Sequence, residues 1–439
     1  MSAAAPRPMV RALRHRNFQL FFGGQLISLT GTWMQSVAQS WLVYRLTGST
    51  VELGLVGFAS QFPVFVLAPI GGAVADRWQR HRVVVATQTV SMLLAAVLAW
   101  LTLSGRIAIW EVFLLAALLG CVNAFDIPAR QSFIVEMVGR DDLLNAIALN
   151  SSMVNGARIA GPAIAGVLVA AIGEGWCFLL NAVSYVAVIA GLLLMTVTGP
   201  ALRPHEGSAV ARIMEGFGYV WRTRPMRSLM LLLGLASLMG MPYAVLMPVF
   251  ADQILHGGAA GLGVLMGASG LGALAGALAL ASREGLRGLG RWVAWSSAGF
   301  GVSLMLFAAS RWFWLSAVLL VPVGCTMMVQ MASSNTLIQS MVPDHLRGRV
   351  MAIYSMMFMG MAPVGALFAG AVAGRLGAPL TVAIGGVACL AGAAAFGARL
   401  PAFRVAAREV IVALQPAGGG PAEESTGQRA LSTTATGGH

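Results

Sequence analysis

Apolar runs long enough to cross a bilayer recur along this sequence, and that recurrence limits the possible folds more than any single motif does. A crossing helix needs about 20 apolar residues to cover roughly 30 Å of hydrocarbon. Six such runs lie near residues 18–44, 52–75, 83–104, 109–135, 143–172 and 175–198, and six more near 227–251, 259–282, 291–309, 312–341, 348–374 and 377–399. With 58% of residues hydrophobic and 10% charged, the solvent for most of the surface has to be lipid. A β-barrel would instead alternate polar and apolar residues. The sequence therefore predicts an all-α membrane protein of twelve transmembrane helices. The run that begins near Phe18 is too long for a signal-peptide core and reads as a retained first span.

The twelve runs come as two copies of six. A shift of 204 positions aligns 120–166 with 324–370 without a gap, placing Gly120, Cys121, Ile134, Met137, Gly156, Gly161 and Gly166 on Gly324, Cys325, Ile338, Met341, Gly360, Gly365 and Gly370. The same shift carries Gly54, Gly57 and Gly72 onto Gly258, Gly261 and Gly276. Two parallel, pseudo-symmetric six-helix bundles follow. The expected organisation is an N-terminal segment (1–17), a first bundle (18–198), a linker (199–226), a second bundle (227–400) and a disordered polar tail (401–439).

All 28 basic residues are arginine. With no lysine there is no P-loop for ATP hydrolysis and no Schiff base. Four arginines (Arg45, Arg106, Arg311, Arg375) fall in breaks on one side of the runs, Arg158 falls inside a run, and the other 23 lie on the side of the N-terminus and the linker. The positive-inside rule then predicts both termini in the cytoplasm of a bacterial cell, in its inner membrane. The net charge of +12 reads as topology rather than as a nucleic-acid surface. Cys121, Cys177, Cys325 and Cys389 sit inside apolar runs and the six histidines are scattered, so neither a disulfide framework nor a metal cluster nor a cofactor is indicated.

Between the second and third runs the chain reads Gly72-Ala73-Val74-Ala75-Asp76-Arg77-Trp78-Gln79-Arg80-His81-Arg82. This resembles the first cytoplasmic loop signature of the major facilitator superfamily, with Val74 and Gln79 departing from it. Arg14 to Phe18, Leu46 to Ser49, Asp126-Ile127-Pro128-Ala129-Arg130-Gln131 and Asn145-Ala146 resemble its enterobactin exporter branch, the transmembrane secretion effectors, over roughly residues 10 to 400. The resemblance implies the major facilitator fold and export of a siderophore or a hydrophobic drug. Gly72 is expected to allow close helix approach, and Asp76 with Arg77 and Arg80 to latch one conformation, unless the arginines merely fix topology. At the repeat position of Asp76 stands Leu280, so any latch is one-sided. Gly161, Pro162 and Gly166 are similar to an antiporter motif in which two glycines have become Ala157 and Ala165; ordinary helix packing explains these residues as well.

Asp126, Arg130 and Arg158 are the deepest charges, and their repeat partners are the uncharged Gln330, Ser334 and Ala362. Isolated charges at that depth are costly, so the three are expected to neutralise one another. Asp126 is expected either to carry a coupling proton, with Arg158 setting its affinity, or to form a static pair. Gln25, Ser28, Thr32, Gln35 and Gln39 recur at steps of three and four and share one face of the first helix. With Asn123 and Asn155 they are the candidate wall of a substrate cavity, the alternative being hydrogen bonds between helices. The leading function is a proton-coupled carrier that exports a small amphiphilic molecule by alternating access. A passive or importing carrier is the alternative within transport, and a membrane-embedded sensor or lipid-acting enzyme the alternative outside it. No catalytic set of Ser, His and Asp is in recognisable order. The partners implied are a small-molecule substrate, the proton and the lipid bilayer; oligomeric state is left open.

Overall fold

A computed structural model describes residues 8–139, 141–196, 209–283, 285–286, 288–343 and 346–414. The first six spans are Arg16–Thr47, Thr50–Arg77, Arg80–Leu103, Ile109–Val138, Leu143–Ile172 and Glu174–Leu193. The seventh to twelfth are Arg224–Ile254, Gly258–Ala281, Leu289–Ala309, Phe313–Ser340, Arg347–Leu376 and Ala378–Ala398. Eleven of the twelve are both long and apolar enough to cross a membrane. The exception is the first, which at 32 residues spans about 48 Å but carries a polar stripe.

The seventh span is not a continuous α-helix. After Arg224–Leu235 it passes through a π turn at Ala236–Gly240 and a 3-10 turn at Met241–Ala244, then a short turn at Met247–Val249 and a second π turn at Phe250–Ile254. Pro242 and Pro248 remove two backbone donors within seven positions, which breaks the regular ladder.

Packing repeats between the bundles. In the first, the second span lies against the fourth, the third against the fourth and sixth, and the first against the fifth and sixth. In the second, the eighth lies against the tenth, the ninth against the tenth and twelfth, and the seventh against the eleventh and twelfth. Gly120 and its repeat partner Gly324 play the same part, each pressed onto the backbone of the preceding packed span, at the carbonyls of Ser60 and Ser269.

Two seams join the bundles, between the second and eleventh spans and between the fifth and eighth. Both run through glycine: a methyl group on Gly166 would come 2.6 Å from the Gly263 Cα, and one on Gly370 would come 3.0 Å from the Gly54 Cα. Near this end Thr50 also donates to the Gly370 carbonyl and Tyr44 to Asp252, at 3.1 and 2.8 Å. The buried apolar side chains fall into three clusters. One, with Leu42, Tyr44, Tyr243, Phe250 and Phe307, draws on both bundles at the arginine-poor face. The other two, around Phe18, Phe133 and Leu192 and around Met226, Ile338 and Phe403, each belong to a single bundle at the arginine-rich face. The halves thus share a core at one face and keep separate cores at the other.

One sequence expectation needs correction. Residues 401–439 do not become tail at once, because Leu400–Leu414 is a helix whose Phe403 and Ala407 are buried. Its apolar residues recur at helical spacing and Phe403 packs edge-on against Phe396, which the polar composition farther along obscured. The expected linker contains a helix, Ala209–Arg222, held to the eleventh span by an Arg349–Glu215 ion pair and to the end of the tenth by Tyr219, which donates to the Met341 carbonyl at 3.0 Å. Residues 197–208 and 415–439 lie outside the described residues.

Candidate functional site

Asp126 lies deep in the fourth span and is 3% exposed. Thr87 Oγ1 and Gln88 Nε2, both from the third span, donate to its Oδ1 at 2.8 and 2.9 Å. One turn along its own helix, Arg130 Nε lies 3.3 Å from Oδ2 and Nη1 donates to Gln25 Oε1 at 3.1 Å. A charge stranded in hydrocarbon costs roughly 2.5–3.5 kcal/mol at the helix centre, and this arrangement offsets that by pairing two charges and surrounding them with amides and a hydroxyl. The result is a chain of contacts, Gln88–Asp126–Arg130–Gln25, across three helices. At its two ends Gln88 Oε1 and Gln25 Nε2 are buried without a hydrogen-bond partner among the described residues.

Arg158 does not join this group, contrary to the expected three-way neutralisation. It lies near the middle of the fifth span, its guanidinium 5.5 Å from the centroid of the Trp33 ring. Among the described residues no carboxylate reaches it. Spacing along the sequence could not reveal this, because the separation depends on how the fourth and fifth spans turn about their axes.

The polar stripe of the first span also resolves differently from the expected cavity wall. Gln25, Ser28 and Gln35 are 1%, 2% and 6% exposed. Gln35 Oε1 accepts from Asn181 Nδ2 of the sixth span at 2.7 Å, while Thr32 donates to the Ser28 carbonyl at 2.9 Å and lies 3.5 Å from the Tyr185 hydroxyl. Gln25 and Gln35 thus bind helices within the first bundle, where a dry environment rewards each satisfied pair. Gln39 and Asn123 are half-buried, and Asn155 turns back to the Ser151 carbonyl at 2.9 Å.

In the loop signature, Arg80 Nη1 donates to Glu136 Oε1 at 2.7 Å, tying the start of the third span to the end of the fourth. The side chain of Asp76 lies outside the described residues, and Arg77 is exposed. Gly72 is not the close-approach glycine: a methyl group there would meet nothing within 4 Å, whereas one on Gly71 would run into the Ala124 carbonyl. The fifth-span motif divides its work between bundles. Gly161 packs against Trp33 of the first span, and Gly166 crosses to the eighth.

Several partners escaped the sequence reading. Thr87, Gln88 and Asn181 are single polar residues in apolar helices, signals that an intramembrane carboxylate and a glutamine stripe should have prompted. Arg45 and the buried Glu174, paired at 2.7 Å near the arginine-poor face, stand 129 positions apart and gave no local sign. At the arginine-rich face His15 meets Asp142 at 2.9 Å, and that hydrogen bond, with Arg11 nearby, holds the Asp142 carboxyl below the usual aspartate range.

Comparison with known proteins adds to this geometry. Residues 8–415 match the profile of the transmembrane secretion effector family. The staphyloferrin A transporter of Staphylococcus aureus is 26% identical over 372 residues, which cover 84% of this chain and 93% of that protein. The enterobactin exporter EntS of Shigella boydii is 26% identical over 84% of this chain and 86% of its own length. Among solved structures, a POT family transporter superposes with a TM-score of 0.72 at 12% identity, covering 88% of this chain and 96% of that one. A bacterial homologue of the iron transporter ferroportin superposes with a TM-score of 0.66 at 16% identity, covering 88% and 99%.

Proposed function

From the premise that the chain belongs to the transmembrane secretion effector family of major facilitator transporters, we propose that it exports a small amphiphilic molecule of the siderophore class, driven by protons and by alternating access. The named activities of the two curated relatives support the substrate class. The positive-inside rule puts the arginine-rich face, with both termini, in the cytoplasm of a bacterial inner membrane. In that orientation the bundles share their core on the outer side and part on the inner side, an arrangement suited to loading from the cytoplasm.

The observation that carries proton coupling is the Asp126 chain. A buried carboxylate is paired to a single arginine, and the hydrogen-bonded chain through it ends in two open polar atoms. Protonation of Asp126 would release Arg130 from its ion pair and change what holds the third and fourth spans to the first, so a proton can bias the bundle's packing. The Arg80–Glu136 pair and Asp76 then serve as the conformational latch of the inner face.

The test is siderophore-dependent proton flux in proteoliposomes holding the full chain. Efflux of a siderophore excreted by the source cells should follow an imposed proton gradient, and the Asp126→Asn variant should lose that dependence. Full gradient-driven transport by Asp126→Asn would assign proton coupling elsewhere. A deletion strain that excretes as much siderophore as its parent would remove the substrate class.

A further inference from the structure

Arg158 has no task in the proton chain, and its surroundings suggest a separate one. Its guanidinium is half-buried at the middle of the membrane, on the span that forms one of the two seams between bundles. The Trp33 ring lies under it at 5.5 Å, a cation–π contact that orients the planar group but satisfies none of its five N–H donors. Among the described residues it makes neither a hydrogen bond nor an ion pair. Arg130 on the neighbouring helix, by contrast, is paired twice.

The second bundle packs directly against this stretch. On the eighth span Gly270 packs against Ile159 and the Arg158 backbone, 3.0 and 3.5 Å from where a methyl group would stand. One residue away, Ser269 shares a 2.7 Å hydrogen bond with the Tyr243 hydroxyl. Tyr243 sits in the 3-10 turn that breaks the seventh span, between its two π turns. Irregular backbone at membrane depth is tolerated where it is buried in protein or lines a cavity, and discontinuous helices are where many transporters bind their cargo. The repeat position of Arg158 is Ala362, so the site has one cationic side.

We propose that Arg158, braced on Trp33 at the seam with the eighth span, receives the anionic group of the transported molecule, which makes the cargo an organic anion with an apolar or aromatic body. The inference deepens the exporter reading and rests on it for the word cargo. A guanidinium presents two parallel donors to a carboxylate or to the adjacent oxygens of a catecholate, and does so most strongly where water is scarce. Charge on the ligand, more than its shape, is then the selected property, and Trp33 supplies a surface for its ring.

Binding and flux can be separated in the test. Salicylate and salicylamide differ in charge at nearly constant shape, and their binding to the purified full chain in nanodiscs is measurable by titration calorimetry without any gradient. The wild type should bind salicylate at least about tenfold more tightly than salicylamide, equivalent to about 1.4 kcal/mol. Arg158→Gln should abolish the preference while eluting as a monodisperse species, and Arg158→Lys should keep part of it. A wild type without the preference, or an Arg158→Gln variant that retains it, overturns the assignment. Because no proton gradient is involved, loss of coupling in Asp126→Asn leaves this result untouched, so the two readings fail separately.

Discussion

The two bundles are packed alike and charged differently. Gly120 and Gly324 hold equivalent helix pairs together, and the two seams between bundles use the same kinds of close backbone approach. At the depth where the first bundle carries Asp126, Arg130 and Arg158, the second carries Gln330, Ser334 and Ala362, of which Gln330 and Ser334 are equally buried. Duplication therefore preserved the packing template while ionic chemistry stayed on one side. The proposed rocking mechanism needs two matched bodies, of which only one has to sense the proton.

The comparison breaks most directly if the first bundle is given the second bundle's residues. Asp126→Asn alone leaves Arg130 without its carboxylate and should cost about 3 kcal/mol in thermal unfolding, the low end for a broken buried pair because the arginine is partly exposed. The double variant Asp126→Gln, Arg130→Ser should recover most of that stability and still transport without gradient dependence. A double variant as unstable as the single one would mean that the ion pair is structural.

A smaller effect separates neighbouring glycines. Gly71→Ala drives a methyl into the Ala124 carbonyl and should destabilise by about 1–3 kcal/mol, whereas Gly72→Ala should be neutral or stabilising by up to about 1 kcal/mol. Equal melting temperatures for the two variants would contradict the packing of the second span on the fourth.

Smaller again is the bond that crosses the bundles at the arginine-poor face. Tyr44→Phe removes the hydrogen bond to Asp252 and should weaken closure there by about 1 kcal/mol, a roughly fivefold gain in thiol labelling of a cysteine placed at that face. Unchanged labelling would assign closure to the glycine seams alone.

The least effect concerns the N-terminal turn. Asp142 ionises more readily when folded, so its contribution is present above the ordinary aspartate range and is lost as pH falls through its lowered value. Amides of Pro8–Arg14 should therefore be protected, relative to their intrinsic exchange at the same pH, at neutral pH and lose that protection in acid; protection independent of pH would remove His15 and Arg11 as the anchors of that turn.

Much of the fold could be read from the sequence because the bilayer enforces length and hydropathy on each span. The repeat was legible for the same reason glycine is kept at a close approach, as at Gly166 and Gly370. Partners across helices were not legible. Nothing local tells that Gln35 turns to Asn181, that Asp126 meets Thr87, or that Arg158 stands apart on Trp33, since helix rotation decides each of these. The helix Leu400–Leu414 was missed because its short apolar face is followed by a polar tail.

The central claim is that proton uptake at Asp126 rocks two bodies about a shared core. Spin labels on cysteines at Gln79 and Ser282, across the arginine-rich face, and at Ser104 and Arg311, across the arginine-poor face, would report it by pulsed dipolar spectroscopy in a background without the native cysteines. On acidification the two distances should change in opposite directions in the otherwise native chain and stay fixed in Asp126→Asn. Distances that move together, or that respond to acid equally without Asp126, would contradict the account.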